Sequence, residues 1–217
     1  MDCVGTQIRA LSGIVVKNAT QVFLRRLPVT LIAAVVIWLL LRPAIDTTVA
    51  GLAQTLVRSF EYPRVTRLVI DDDRAQMRRT DLRTDSKVPS VSMTEVTFNT
   101  IVLLALYLAL PHPFSRKQLE RLFMGLCVLC LSQSINLLFH VKTLYSMGLG
   151  EWSQHHYSDL ARNIFGFGRY FTDLPGRFSF PFLIWLGFNW DVVMKMLGIQ
   201  QQETEKPGNK KKKKERG

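Results

Sequence analysis

Charged residues are missing from two consecutive runs of the chain, Val96 to Ser115 and Leu122 to Val141. Each run is about 20 residues, the length an α-helix needs to cross roughly 30 Å of hydrocarbon. Between them lies Arg116-Lys117-Gln118-Leu119-Glu120-Arg121. A segment this short predicts an antiparallel helical hairpin. Its cationic excess predicts a cytoplasmic loop, because Lys and Arg beside helix ends resist translocation. A third uncharged run, Leu27 to Leu41, has fifteen residues with Trp38 near its far end. At 1.5 Å per residue it rises only about 22 Å. Arg26 and Arg42 must therefore snorkel, or the helix must start near Asn18. A fourth apolar run opens at Phe178 and extends to Leu197, where Asp191 and Lys195 are four apart and share a helix flank.

The intervening stretches read differently. Pro43 suits the first turn of a new helix, and Ile45, Val49, Leu52, Leu56 and Phe60 repeat at three- to four-residue spacing. Residues 43–60 are thus predicted as an amphipathic helix that rests on the outer membrane surface or caps the bundle. In residues 61–95, Val65 to Ile70 has β composition, Asp71-Asp72-Asp73 reads as a turn, and Ala75 to Arg78 reads as a returning strand. The three aspartates lack the spaced oxygen ligands of a calcium loop and read as a solvated turn. Residues 142–177 form a second outer segment, dense in Trp152, His155, His156, Tyr157, Phe165, Phe167, Tyr170 and Phe171. Aromatic rings of this kind favour the membrane interface. Met1 to Arg26 is weakly amphipathic and basic, suited to the cytoplasmic surface. It lacks a continuous apolar core, so no cleavable signal peptide is expected. Gln200 to Gly217 is polar and lysine-rich, and residues 198–217 read as a basic disordered tail.

The whole pattern predicts a mainly α, polytopic membrane protein. It has four transmembrane helices at 27–41, 96–115, 122–141 and 178–197, a small β-like outer segment, and amphipathic interfacial helices. An even number of spans puts both termini on the cytoplasmic side, with the hairpin loop 116–121.

Composition changes this picture little. The 217 residues carry a formal charge of +11, of which Lys206, Lys210 to Lys214 and Arg216 supply seven basic side chains. With no aromatic-basic stacking module, that charge reads as membrane-flanking rather than nucleic-acid-binding. Membrane lipids are the expected contact. Cys3, Cys127 and Cys130 give no disulfide framework. The last two, three apart on a membrane helix, read as ordinary packed cysteines.

Candidate chemistry is sparse. If residues 155–162 are helical, His155, Asp159 and Arg162 share a face, with His156 and Tyr157 beside them. His155, His156 and Asp159, with His140 as a candidate further ligand, define one competing reading: a metal-dependent membrane enzyme. Against it stand an incomplete ligand set and a plain Asp159–Arg162 ion pair, and no metal or cofactor is expected. In the third span, Ser132, Gln133, Ser134 and Asn136 form a polar patch suited to hydrogen bonds between helices. A small transporter component is the weaker alternative, because four spans without buried acid or base make a poor transporter. No P-loop, zincin motif or nucleophile elbow is present, and no catalytic residue is assigned.

The order of these parts resembles the small inner-membrane proteins that accompany exosortases in Gram-negative bacteria, particularly the exosortase H-associated type. The similar stretches are Phe98-Asn99-Thr100-Ile101-Val102-Leu103-Leu104-Ala105-Leu106 and Gly166-Phe167-Gly168-Arg169-Tyr170-Phe171. The resemblance implies a bacterial inner-membrane location, with the outer segments in the periplasm. Exosortases look like membrane transpeptidases using Cys, Arg and His, a pattern that Cys127 and Cys130 do not match. The resemblance therefore implies a non-enzymatic accessory of a protein-sorting system, with another membrane protein or its protein substrate as partner. On that reading His155, His156, Tyr157, Asp159, Arg162, Phe167, Arg169 and Tyr170 are the candidate contact residues.

Overall fold

The computed structural model describes residues 3–61, 64–79 and 88–197, with side chains from Thr20 onward. The basic tail, the segment 80–87 and the side chains of the first 19 residues lie outside the described residues. The chain divides into two units, Met1–Gln21 with Trp190–Gly217, and Val22–Asn189. In the small unit, the Thr20 hydroxyl donates to the carbonyl of Met196 at 2.9 Å, on the last described helix, α8 (Trp190–Met196).

The large unit is helical around a three-stranded sheet. Helix α1 runs from Cys3 to Ser59 without interruption, through both Pro28 and Pro43. This corrects the expectation of a separate helix opening at Pro43. A proline removes one backbone hydrogen bond, and a membrane-type helix tolerates that where side chains re-satisfy the freed groups. At Pro43 the acceptor left without its donor is the Leu39 carbonyl, while the Thr47 hydroxyl back-bonds to the Pro43 carbonyl at 2.7 Å. The neighbouring Arg42 is clamped by Asp46 at 3.4 Å, by Asp73 and by the Thr94 hydroxyl at 2.6 Å. The buried face beyond Pro43 is Val49, Ala50, Ala53 and Val57, while Leu52 and Phe60 are exposed.

Strands β1 (Thr66–Asp71) and β2 (Arg74–Arg79) form an antiparallel hairpin about Asp72, whose φ of 51° is left-handed. A third strand, β3 (Ser90–Ser92), pairs antiparallel with β2, giving the order β1-β2-β3. Alternation along β2 sends Ala75 and Met77 inward and Arg74 and Arg78 outward. Ala75 joins Val49, Ala53, Met93, Val96 and Leu137 in one core, and Met77 joins Val57, Val141 and Tyr145 in a second. The turn is not merely solvated. Asp73 Oδ1 accepts from the Thr94 backbone N–H at 3.1 Å and its hydroxyl at 2.6 Å, besides pairing with Arg42. Helix α1 also covers the β1 edge. Gln54 accepts from the Leu68 N–H at 2.9 Å, and Arg58 Nε donates to the Thr66 carbonyl at 2.8 Å. An edge strand left bare would template pairing with another chain.

The apolar run after the sheet forms α2 (Met93–Thr97) and α3 (Asn99–Leu108), which ends well before Ser115. A prolyl turn follows, and α4 (Arg116–Met147) begins where the sequence reading places the cytoplasmic loop. Ser115 is the reason. Its hydroxyl caps α4 by accepting from the Gln118 N–H, so the basic residues are the first turns of a helix. The aromatic segment 142–177, expected as a loop, is also largely helical. It holds the end of α4, then α5 (Glu151–His156) and α6 (Asp159–Phe171). A π-helical turn at Thr172–Gly176 leads into α7 (Arg177–Phe188), which ends at Asn189 rather than continuing to Leu197. Among the described residues two helices are long and apolar enough to cross a membrane, Thr20–Ser59 and Arg116–Met147. Met93–Leu108 is a shorter apolar helix.

Candidate functional site

The buried face of α4 carries polar groups in register with its neighbours. Gln133 Nε2 donates to Asn99 Oδ1 at 2.6 Å and to Thr100 Oγ1 at 2.9 Å, joining α4 to α3. Ser134 donates to the carbonyls of Cys130 at 2.8 Å and Val49 at 3.3 Å, and Asn136 Oδ1 accepts from the Thr172 hydroxyl at 3.2 Å. Ser132 is half-buried beside them. One turn later, His140 Nε2 lies 2.9 Å from Asp173 Oδ1. Arg169 and Arg177 approach the same carboxylate at 3.6 and 3.8 Å. Burial alone would raise the Asp173 carboxyl. The hydrogen bond and charge of His140, with Asn136 and Arg177, outweigh it and hold Asp173 below the ordinary value. His140 is thus committed to Asp173, not to His155 or Asp159.

One concave feature gathers residues from β2, α4, α5 and α6 together with Phe60 and Glu61, which directly follow α1. Arg79 ends β2 opposite Thr66 in the register. Its guanidinium lies against the rings of Tyr145 and Trp152, at 4.8 and 4.6 Å from their centroids, and 3.7 Å from the Glu61 carboxylate. Glu61 also accepts from the Thr66 N–H and hydroxyl, at 3.1 and 2.7 Å, and Thr66 Oγ1 is 2.9 Å from the Tyr145 hydroxyl. Trp152 stacks on His156 at 4.3 Å, and Tyr157 turns its edge to Phe165. Helix α5 is fixed under this wall by Ser153, whose hydroxyl donates to the Tyr145 carbonyl at 2.8 Å. The cavity so formed measures about 620 Å³ and admits Lys142 from α4. Burial pushes the Tyr157 phenol up, so it stays protonated near neutrality.

The contact residues read from the sequence separate into two groups. His156 and Tyr157 line the cavity. Phe167, Arg169 and Tyr170 lie exposed on α6. His155 is exposed on α5, whereas Asp159 opens α6 after the break at Tyr157 and Ser158. The assumption of one continuous helix through 155–162 fails. Ser158 is a helix cap, its hydroxyl accepting from the Ala161 N–H, so the His155–Asp159 pairing has no structural basis. Asp159 instead pairs with Arg162 at 2.6 Å. Among the described residues, no three His, Cys, Asp or Glu side chains converge as a metal site. Glu61, Arg79, Lys142, Tyr145 and Trp152 escaped the sequence reading. The signal that was available is Lys142, a lone charge directly after twenty uncharged residues, since ionisable groups at membrane depth are functional candidates by default.

On α6, Leu160, Ile164, Phe167 and Phe171 recur at helical spacing and all face outward, with Leu160 70% and Phe167 69% exposed. The opposite side packs on α4 through Gly168, where a Cβ would meet the Phe139 ring at 2.4 Å.

Comparison with curated proteins finds no match, and neither does comparison with solved structures. A family model described as exosortase H-associated membrane protein matches residues 17–192, from the middle of α1 into α8 and spanning every element above. The chain therefore belongs to the family of exosortase H-associated membrane proteins.

Proposed function

We propose that the chain is a non-catalytic accessory subunit of the bacterial inner membrane, docking an exosortase or that enzyme's protein substrate through its periplasmic side. The observation that carries this reading is the outward apolar row of α6, Leu160, Ile164, Phe167 and Phe171, flanked by Arg169 and Tyr170. Aromatic and arginine side chains are the residue types that dominate contact energies, and an uncovered row at i, i+4, i+7 and i+11 suits a second helix. The family description supplies the class of partner: a membrane protein of the exosortase H system.

In this reading α1 and α4 cross the bilayer as full-length helices, and the shorter apolar stretches Met93–Leu108 and α7, extended by the turns that flank them, complete four spans. Both termini and the α3–α4 turn lie in the cytoplasm, and the sheet, α5 and α6 lie in the periplasm. Arg116, Lys117 and Arg121 then open α4 from the cytoplasmic side, in keeping with the distribution of positive charge. Photo-crosslinkers at Phe167 and Leu160, carried by the full-length chain in its host, are expected to trap one multi-pass protein. A crosslinker at Arg67, exposed on β1, is expected not to. Crosslinks from Phe167 to lipid alone, together with unchanged processing of sorted proteins on deletion of the chain, would overturn the proposal.

A further inference from the structure

The cavity beside α5 is lined by a buried lysine that no acidic side chain of the described residues contacts directly. Lys142 is 5% exposed, yet among the described residues it makes no hydrogen bond and no ion pair. Its nearest anionic candidate, Glu61, is already committed to Arg79 and to both donors of Thr66. Holding an ammonium in a buried place without a directly contacting acid is costly on general grounds, and an anion entering the cavity would offset that cost. The remaining walls describe that anion's carrier. Phe60, Leu138 and Phe165 are apolar, and Phe60, 73% exposed, continues the apolar lining out onto the surface. These walls suit the glycerol and upper acyl carbons of a lipid, while Trp152 and Tyr157 supply rings of the type that sits at headgroup level. A cavity of about 620 Å³ is of the size that encloses a headgroup rather than a bare ion.

We propose that this cavity seats the phosphodiester headgroup of an anionic phospholipid, with Lys142 as its counter-ion and the Trp152–Tyr157 rings as its collar. A phosphodiester carries a single negative charge, which matches the one lining cation left without a partner among the described residues. Arg79 remains with Glu61 and shapes the wall. The site is separate from the outer row of α6, and its occupancy does not depend on the partner proposed above.

Native mass spectrometry of the full-length protein in mild detergent tests this directly. The probes are dioleoyl phosphatidylglycerol, dioleoyl phosphatidylcholine, oleate and inorganic phosphate, added singly. The expected result is one phosphatidylglycerol per chain, bound in preference to phosphatidylcholine. Lys142→Met should weaken it about fivefold or more, in line with the contribution of one lysine to an anionic lipid, and Lys142→Arg should largely restore it. Equal binding of phosphatidylglycerol by wild type and Lys142→Met would overturn the proposal. So would equal binding of the two phospholipids by the wild-type chain, a result that needs no variant to fold. Equal occupancy by inorganic phosphate would assign the site to a free anion, and preference for oleate to a carboxylate. Either also overturns it.

Discussion

Asp173 shows how a single carboxylate fastens the second half of the chain. It sits in the π-helical turn and meets His140, Arg169 and Arg177. Its folded-state carboxyl is held below the ordinary aspartate value, so the unfolded chain binds the proton more readily. The associated stability is fully present above the unfolded value of about 3.9 and is lost as pH falls through the lower folded value. Thermal unfolding in detergent should therefore show a loss of stability on acidification below about pH 4. Asp173→Asn should flatten that dependence and lower stability near neutrality by about 1–2 kcal/mol. Little of this network was legible beforehand. His140 figures in the sequence only as a further ligand in the disfavoured metal reading, because spacing cannot show a partner thirty-three positions away. Lys142, Arg79 and Glu61 were missed for the same reason: they come from three elements, and only the register of β2 against β1 brings Arg79 to Glu61.

Elements were legible where local chemistry and tertiary context agree. The β1–β2 hairpin follows from β-rich residues on either side of an aspartate turn, and it forms there. Strand β3 did not follow, because Ser90-Val91-Ser92 has too few residues to show a period and is specified by pairing with β2. Helix α6 falls in the outer aromatic segment, whose helicity the sequence left conditional. In the structure Gly168 serves close packing, since a Cβ there would meet three atoms of the Phe139 ring between 2.4 and 2.7 Å. Gly168→Ala should cost about 1–3 kcal/mol through overpacking, despite the better helix propensity of alanine. Gly187 on α7 has nothing within 4 Å of its Cβ position, so Gly187→Ala should be neutral or slightly stabilising. Paired melting curves of the two variants separate packing from propensity. If both melt alike, the α4–α6 contact is not the constraint described.

At the scale of the molecule, the sequence pattern conveyed a helical membrane protein with a small sheet, because uncharged runs of about 20 residues have few other uses. It over-read lengths. Helix α3 ends at Leu108 and α7 at Phe188, since a proline-bounded turn and Asn189 interrupt runs that hydropathy alone would continue. The proposed topology makes a direct prediction. Alkaline phosphatase fused after Asn163 should be active and fused after Phe114 inactive, with green fluorescent protein showing the reverse, and the opposite pattern would invert the chain. The Asp73 clasp also governs how the chain is made. The β1–β2 hairpin is complete at Arg79, but its turn carboxylate gains the Thr94 donors, and β2 gains β3, only some fifteen residues later. At a synthesis rate of about 5–20 residues per second, the nascent hairpin spends roughly one to three seconds with one edge unpaired. During that interval the open β2 edge is available for pairing with another chain, and synthesis through Thr94 closes it.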